Sequence, residues 1–326
     1  MKKIIIVVMI FGIFLYGCVP TSTALRYKKQ TSIDEWKKIR EEDIANVSNS
    51  WKAPIWFERV NTTGWEDGPY ISPDGNTLYF AYINIDLFKL PDVVVIGPNR
   101  DLAGVGNPPC GQFPRPDEFY STKDTRGNWQ TPVPHPVTIP YPVGGFVFAN
   151  EKKVYLHMEK DDGLHTEIYS AEKVNGVWQS PEKIVALSSP HKDDDPHIMP
   201  NDEELFFWSD RPAALRGNNI YYSKKVNGQW QNPVLLPKPI NSNSSDMQPF
   251  VFGDTLYFSS DRDGKMKIYK SALKDNKWSP PEVVVSSKHG VGEPTLTRDG
   301  KFLYFIQIFV SEQGEHNTDI MYCERK

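Results

Sequence analysis

Short apolar runs separated by polar turns fill the chain from residue 51 onward. Three apolar residues in a row recur at Leu78-Tyr79-Phe80, Val154-Tyr155-Leu156, Leu205-Phe206-Phe207, Leu256-Tyr257-Phe258 and Leu303-Tyr304-Phe305. Runs this short, apolar on consecutive positions, predict strands covered on both faces by neighbouring sheets. Before most of them stands a turn rich in Asp, Asn and Gly, such as SPDGN at 72–76 or TRDGK at 297–301, which has the residues a tight hairpin needs. One strand further back lies a proline, in Gly68-Pro69, Asp195-Pro196, Gln248-Pro249 and Glu293-Pro294; Phe146 takes its place in the second repeat. A third strand follows at Phe119-Tyr120, Ile168-Tyr169, Ile220-Tyr221, Ile268-Tyr269 and Ile320-Met321, and then a WxxP step.

The WxxP step occurs as Trp51/Pro54, Trp129/Pro132, Trp178/Pro181, Trp230/Pro233 and Trp278/Pro281. Its first copy precedes the first repeat, and the chain stops soon after the fifth third strand. A last sheet left without its outer strand would expose unpaired backbone, so the front copy is expected to complete it and close a ring. The expectation is an all-β body over 51–326 of five four-stranded units, the last closed by the N-terminal strand. Ahead of it, Ser32 and Glu35 form a capping box, and Ile33, Trp36, Ile39 and Ile44 make a helical stripe that predicts a short helix packed outside the ring.

These repeats resemble the TolB-type, WD40-like propeller repeat, roughly SxDGxxLYFxSDRxGxxDIYxSxxxxGxWxxP. The match is nearly position for position at Ser259–Pro281, SSDRDGKMKIYKSALKDNKWSPP, and covers about 270 residues. The resemblance implies a five-bladed β-propeller, often periplasmic or lipid-anchored, and associated with binding more than with chemistry. Two departures stand out. The second repeat lacks the SDR step, and the first carries a proline-rich insertion within 83–116, expected to form an ordered cap or lip.

Residues 1–17 read as an address. Lys2 and Lys3 precede an apolar run, Ile4–Leu15, of the length of a secretory signal's hydrophobic core, ending in Leu15-Tyr16-Gly17-Cys18. That ending resembles the bacterial lipobox, which implies cleavage before Cys18 and acylation of its thiol; a plain signal or anchor helix is the alternative. Residues 18–50 would then be tether and helix, and the body would lie outside the cytoplasm, lipid-anchored at the cell envelope. Val19 after the lipid cysteine fits outer-membrane sorting in a diderm host. The two remaining cysteines, Cys110 and Cys323, are either a disulfide or two buried thiols.

Composition narrows the partners. The chain is 13% aromatic with 27 prolines, which suits short strands and turns, and its net charge of −4, with no basic aromatic-interleaved run after residue 30, excludes a nucleic-acid footprint. Ser209-Asp210-Arg211 and Ser260-Asp261-Arg262 recur at one place in successive repeats, so a structural ion pair fastening the hairpin is the simpler reading than catalysis.

The inner strands carry the candidate site. Counting back from the proline, positions one and three share a face by strand alternation. They hold Glu66 (with Asp67 beside it), Asp193 and Asp195, Asp246 and Gln248, and Glu293. An acidic funnel is expected, suited to a cation, an amine or sugar hydroxyls, or simply kept wet. No cofactor is implied beyond a funnel-bound cation. Glycoside hydrolysis by a carboxyl pair drawn from Glu66, Asp195 and Asp246 is the enzymatic alternative. His157, His165, His191 and His197 lack a compact zinc spacing, and GxSxG, P-loop and Rossmann fingerprints are absent. The sequence reading is therefore a binding module for an envelope protein or glycan.

Overall fold

The structure, a computed structural model, describes residues 31–61, 65–83, 117–137, 143–159 and 165–326. The expected leader, Cys18, the tether to residue 30, Cys110 and residues 84–116 of the insertion lie outside the described residues.

Five antiparallel sheets follow one another around a ring. Their inner strands are Trp65–Ile71, Val143–Asn150, Asp193–Ile198, Asp246–Phe252 and Val291–Leu296. The second strands are Thr77–Ile83, Lys153–Glu159, Glu204–Ser209, Thr255–Ser260 and Phe302–Val310. The third are Asp117–Thr122, Thr166–Val174, Asn219–Val226, Lys267–Lys274 and His316–Glu324. The apolar triplets of the second strands pack between blades, and Val154, Leu205, Leu256 and Leu303 are fully buried. This is the five-bladed propeller, with each sheet stacked on two neighbours.

Register settles how the ring closes. In blades 1 to 4 the Trp of the WxxP step faces the end of the third strand, in the pairs Trp129↔Lys123, Trp178↔Lys173, Trp230↔Lys225 and Trp278↔Leu273. The residue just after the proline then faces a position three residues earlier: Val133↔Tyr120, Glu182↔Ser170, Val234↔Tyr222 and Glu282↔Lys270. At the chain's start Trp51 faces Arg325 and Ile55 faces Tyr322, with the same offset. Trp51–Trp56 is thus the missing edge of blade 5. The Trp itself ends a hairpin, and the outer strand begins only after the proline. At four of the five positions the cross-strand partner sets a cation over the indole, at 4.8 Å for Lys123, 5.5 Å for Lys173, 4.8 Å for Lys225 and 4.6 Å for Arg325.

Another equivalence supports the same closure. Asn241 brackets the third strand of blade 3, accepting from Ile220 N (2.7 Å) and donating to Ile220 O (2.9 Å). Asn61 does the same to Ile320 in blade 5, at 2.8 and 2.7 Å.

Helix α1 (Ile33–Glu42) is capped by Ser32, whose hydroxyl accepts from Glu35 N at 3.2 Å. Its anchor keeps part of the expected stripe and adds an arginine. Ile33 is 70% exposed and Ile44 48%, whereas Trp36 is buried, Ile39 packs on the core from a partly buried position, and Arg40 reaches into blade 5 to form a two-pronged pair with Asp319. Asn46–Val47 then adds to the outer strand of blade 4 at Val285–Ser286 before the chain enters blade 5, so the N-terminal segment stitches two blades together. Among the described residues no helix is long and apolar enough to cross a membrane. Cys323, one of the two cysteines read as a disulfide or as thiols, is a free, buried thiol in the third strand of blade 5, its pKa pushed up to about 12 by burial.

Candidate functional site

Each inner strand carries a bulge just before its proline or Phe146, where the register to the second strand shifts. The residue at the bulge is left-handed in all five blades. Gly68, Gly145, Asp195, Gln248 and Glu293 have φ between +45° and +61°. The extra residue cancels the alternation on which the funnel rested, so positions one and three before the proline do not share a face. Position one turns to the axis and position three turns back into its blade.

The predicted residues divide accordingly. Asp195, Gln248 and Glu293 line an axial cavity of about 50 Å³, while Glu66, Asp193 and Asp246 are fully buried away from it. Asp193 and Asp246 belong to clamps. Asp193 accepts from Arg211 and from Ser189 N and Oγ (2.7 and 2.8 Å); Asp246 accepts from Arg262 (2.5 Å), Ser260 Oγ (2.6 Å) and Ser242 N and Oγ (2.6 and 2.8 Å). The SDR arginine therefore pairs with the inner-strand acid and not with its neighbouring aspartate. Its guanidinium also lies about 5 Å from two rings, Phe207 and Tyr221 for Arg211, Phe258 and Tyr269 for Arg262. Carboxylates satisfied this fully are structural.

The cavity is built in tiers along the axis. The first is the left-handed set with its two glycines, one acid in blade 3, an amide in blade 4 and an acid in blade 5. The second is Pro69, Phe146, Pro196, Pro249 and Pro294, and the third includes Tyr70, His197 and Thr295. At the first tier Glu293 is held on three sides: its carboxylate accepts from Gly68 N and from Gln248 Nε2 (2.8 Å), and it is hydrogen-bonded to the carboxyl of Asp67, which stands just behind the lining. Asp195 accepts from the indole of Trp208 at 2.7 Å. His157, in the matching place of blade 2, sits 3.0 Å from Asp194 and 3.5 Å from Asp195. Its ring occupies the space over Gly144, where a Cβ would lie 2.7 Å from Nε2.

Sequence reasoning missed Trp208, and it weighed His157 and His197 only as zinc ligands. The signal for the bulge was present in Gly68 and Gly145, since a glycine inside a strand at the place where other repeats have Asp, Gln or Glu marks a special backbone conformation.

Burial drives the electrostatics. It raises Glu293 well above the usual carboxylate range, helped by the nearby Asp67 and Asp195. Asp67 is raised by burial against the hydrogen bonds it accepts, so the two behave as a pair sharing a proton. Asp195 is raised to about 6 by burial, with His157 opposing. For His157, burial pulls down, but Asp194 and then Asp195 outweigh it and leave the imidazole at about 9. Burial lowers His197 to about 3, so that ring is neutral.

A pH dependence follows. Groups raised on folding hold protons that the unfolded chain releases, so their stabilisation is complete below the unfolded pKa and lost as pH climbs through the folded one. That window is pH 6.5 to 9 for His157, and Glu293 adds to it from its own ordinary value upward. His135 (to about 4) and His197 work in the opposite sense, but only below pH 6.5. Chemical denaturation should therefore give a stability that falls by about 3 kcal/mol between pH 6.5 and 9. In His157→Gln the slope should flatten; an unchanged slope would refute the assignment.

No family model matches the chain, and no curated protein matches it. Similar solved structures include TolB from Acinetobacter baumannii, at 13% identity and a TM-score of 0.40 over 76% of this chain and 53% of that one. A putative TolB from Agrobacterium tumefaciens is similar at 15% identity and 0.39, over 80% of this chain and 91% of that one. A structure described as a glycoside hydrolase is similar at 11% identity and 0.49, over 90% and 96%. The chain spans about half the length of the Acinetobacter TolB structure. At these identities the likeness concerns the fold alone: the chain is a five-bladed β-propeller with an acid-lined axis.

Proposed function

We propose that this propeller is a non-catalytic binding module, tethered to the outside of a bacterial membrane by acyl groups on Cys18, and that its axial acid tier receives a ligand. The observation that carries the reading is that Glu66 and Asp246, two of the three acids that could form a hydrolytic pair, are fully buried away from the axis, so that of the three only Asp195 lines the cavity. Hydrolysis of a glycoside needs two carboxyls roughly 5–10 Å apart with the sugar or a water between them. Glu293, the other acid at the axis, is already held by Gly68 N and Gln248 Nε2. The leader's Lys2-Lys3, its apolar run and Leu15-Tyr16-Gly17-Cys18 support the tether.

Two measurements test this. The wild-type chain should show no turnover across a panel of plant, bacterial and host glycans, and envelope crosslinking should recover a partner. In cells, Cys18→Ser should lose acyl labelling and move from the membrane to the soluble fraction. Turnover that Glu293→Gln abolishes in a folded variant would replace the binding reading with the hydrolase one.

A further inference from the structure

The axial cavity has an imbalance of hydrogen-bonding groups that bears on what it holds. Several of its donors are already engaged. Gln248 Nε2 and Gly68 N donate to Glu293, Trp208 Nε1 to Asp195, and the Tyr70 hydroxyl to the carbonyl of Phe148 at 3.2 Å. Acceptor capacity is left over, because each carboxylate offers about four lone-pair sites. The third tier adds an independent sign of an occupant. His197 is 6% exposed and lines the cavity, its ring tilted against that of Phe250 with centroids 4.5 Å apart. Its Nε2 is buried with no partner. Proteins rarely leave such an atom buried without a partner, so it points to an occupant of the cavity.

Size and polarity restrict the occupant further. A cavity of about 50 Å³ holds on the order of four water-sized groups, so an occupant touching one wall lies near the others. Between the polar tiers runs the collar of four prolines and Phe146, which suits an apolar stem. Among the described residues no group of three His, Cys, Asp or Glu is placed to hold a metal ion.

We infer that the axial cavity binds a primary alkylammonium group, its N–H donors directed to Asp195 and Glu293 and its alkyl stem lying against the proline collar toward His197. An ammonium carries donors and no acceptor, which matches the deficit, and its positive charge matches the carboxylates. The proton shared by Asp67 and Glu293 is displaced when the cation enters, so binding releases protons to solvent and tightens as pH rises through the acidic range. The inference rests on the binding reading and names the ligand class of that same cavity.

Calorimetric titration of the mature chain with n-butylammonium chloride tests it. One saturable site is expected, with proton release detected by repeating the titration in buffers of different ionisation enthalpy, and no binding of neutral n-butanol. Asp195→Asn and Glu293→Gln, checked for folding by thermal melts, should each bind at least tenfold more weakly. As a variant-free reading, the ¹⁵N resonance of His197 Nε2 in the wild type should move on titration. Absence of a saturable site, or equal affinity in both folded variants, overturns the inference. A recovered envelope partner without alkylammonium binding would sink the inference and leave the binding reading standing, whereas glycan turnover would sink the reading itself.

Discussion

Replacing Trp51–Val60 with a glycine–serine linker of the same length should unlock blade 5 before any other part of the ring. The segment supplies that blade's outer edge through Lys52 N to Glu324 O at 2.8 Å and Phe57 N to Ile320 O at 3.2 Å. It also buries Trp51, Phe57 and Val60, each less than 5% exposed. Phe57 packs within 5.3 Å of Trp129 and 5.5 Å of Tyr322, tying blade 5 to blade 1. At about 2 kcal/mol for each large buried side chain the replacement removes on the order of 6 kcal/mol, comparable to the whole stability of many domains. Hydrogen exchange should show protection lost first in His316–Glu324 and Phe302–Val310. Uniform loss across all five blades would contradict closure by this strand.

Arg40→Ala should cost nearly as much by a different route. Asp319 is fully buried and meets the guanidinium with both oxygens, one of them at 2.9 Å. Removing the cation leaves a carboxylate in a dry site, for which about 3–5 kcal/mol is usual. The guanidinium also lies 4.8 Å from the centre of the Trp56 ring, so helix, closing strand and third strand loosen together. The melting temperature should drop by about 10 °C. Combining Arg40→Met with Asp319→Leu should recover most of that loss, because an apolar pair leaves no orphaned charge. A double variant as unstable as Arg40→Ala would show that packing, not the uncompensated charge, is the larger part.

The fold was legible because Trp, Pro and the apolar triplets mark local chemistry that every blade must repeat. Counting them placed Trp51 correctly at the far end of the ring. The site was less legible, for reasons that lie in particular residues. Strand alternation put Asp193 and Asp195 on one face, and one bulge residue was enough to separate them. The partner of Arg211 lies 18 positions away and not next door, and Arg40 finds Asp319 across 279 positions. Such distant pairs leave no trace in spacing. The helix was legible only in part: Trp36 and Ile39 of its stripe pack on the body, whereas Ile33 and Ile44 are exposed and Arg40, outside the stripe, completes the anchor.

The left-handed bulge has a consequence for how such an axis changes over evolutionary time. Glycine takes that conformation freely, whereas a residue with a side chain gives up on the order of 1–2 kcal/mol. Blades 1 and 2 hold the inexpensive residue, while blades 3, 4 and 5 hold Asp195, Gln248 and Glu293 at φ of 45°, 55° and 58°. Three of the five sockets are thus occupied against the preference of their own backbone. Mutational drift toward glycine at those three would relax the chain while emptying the axis, so persistence of polar side chains there among descendants of this sequence would be a record of selection on what the axis holds.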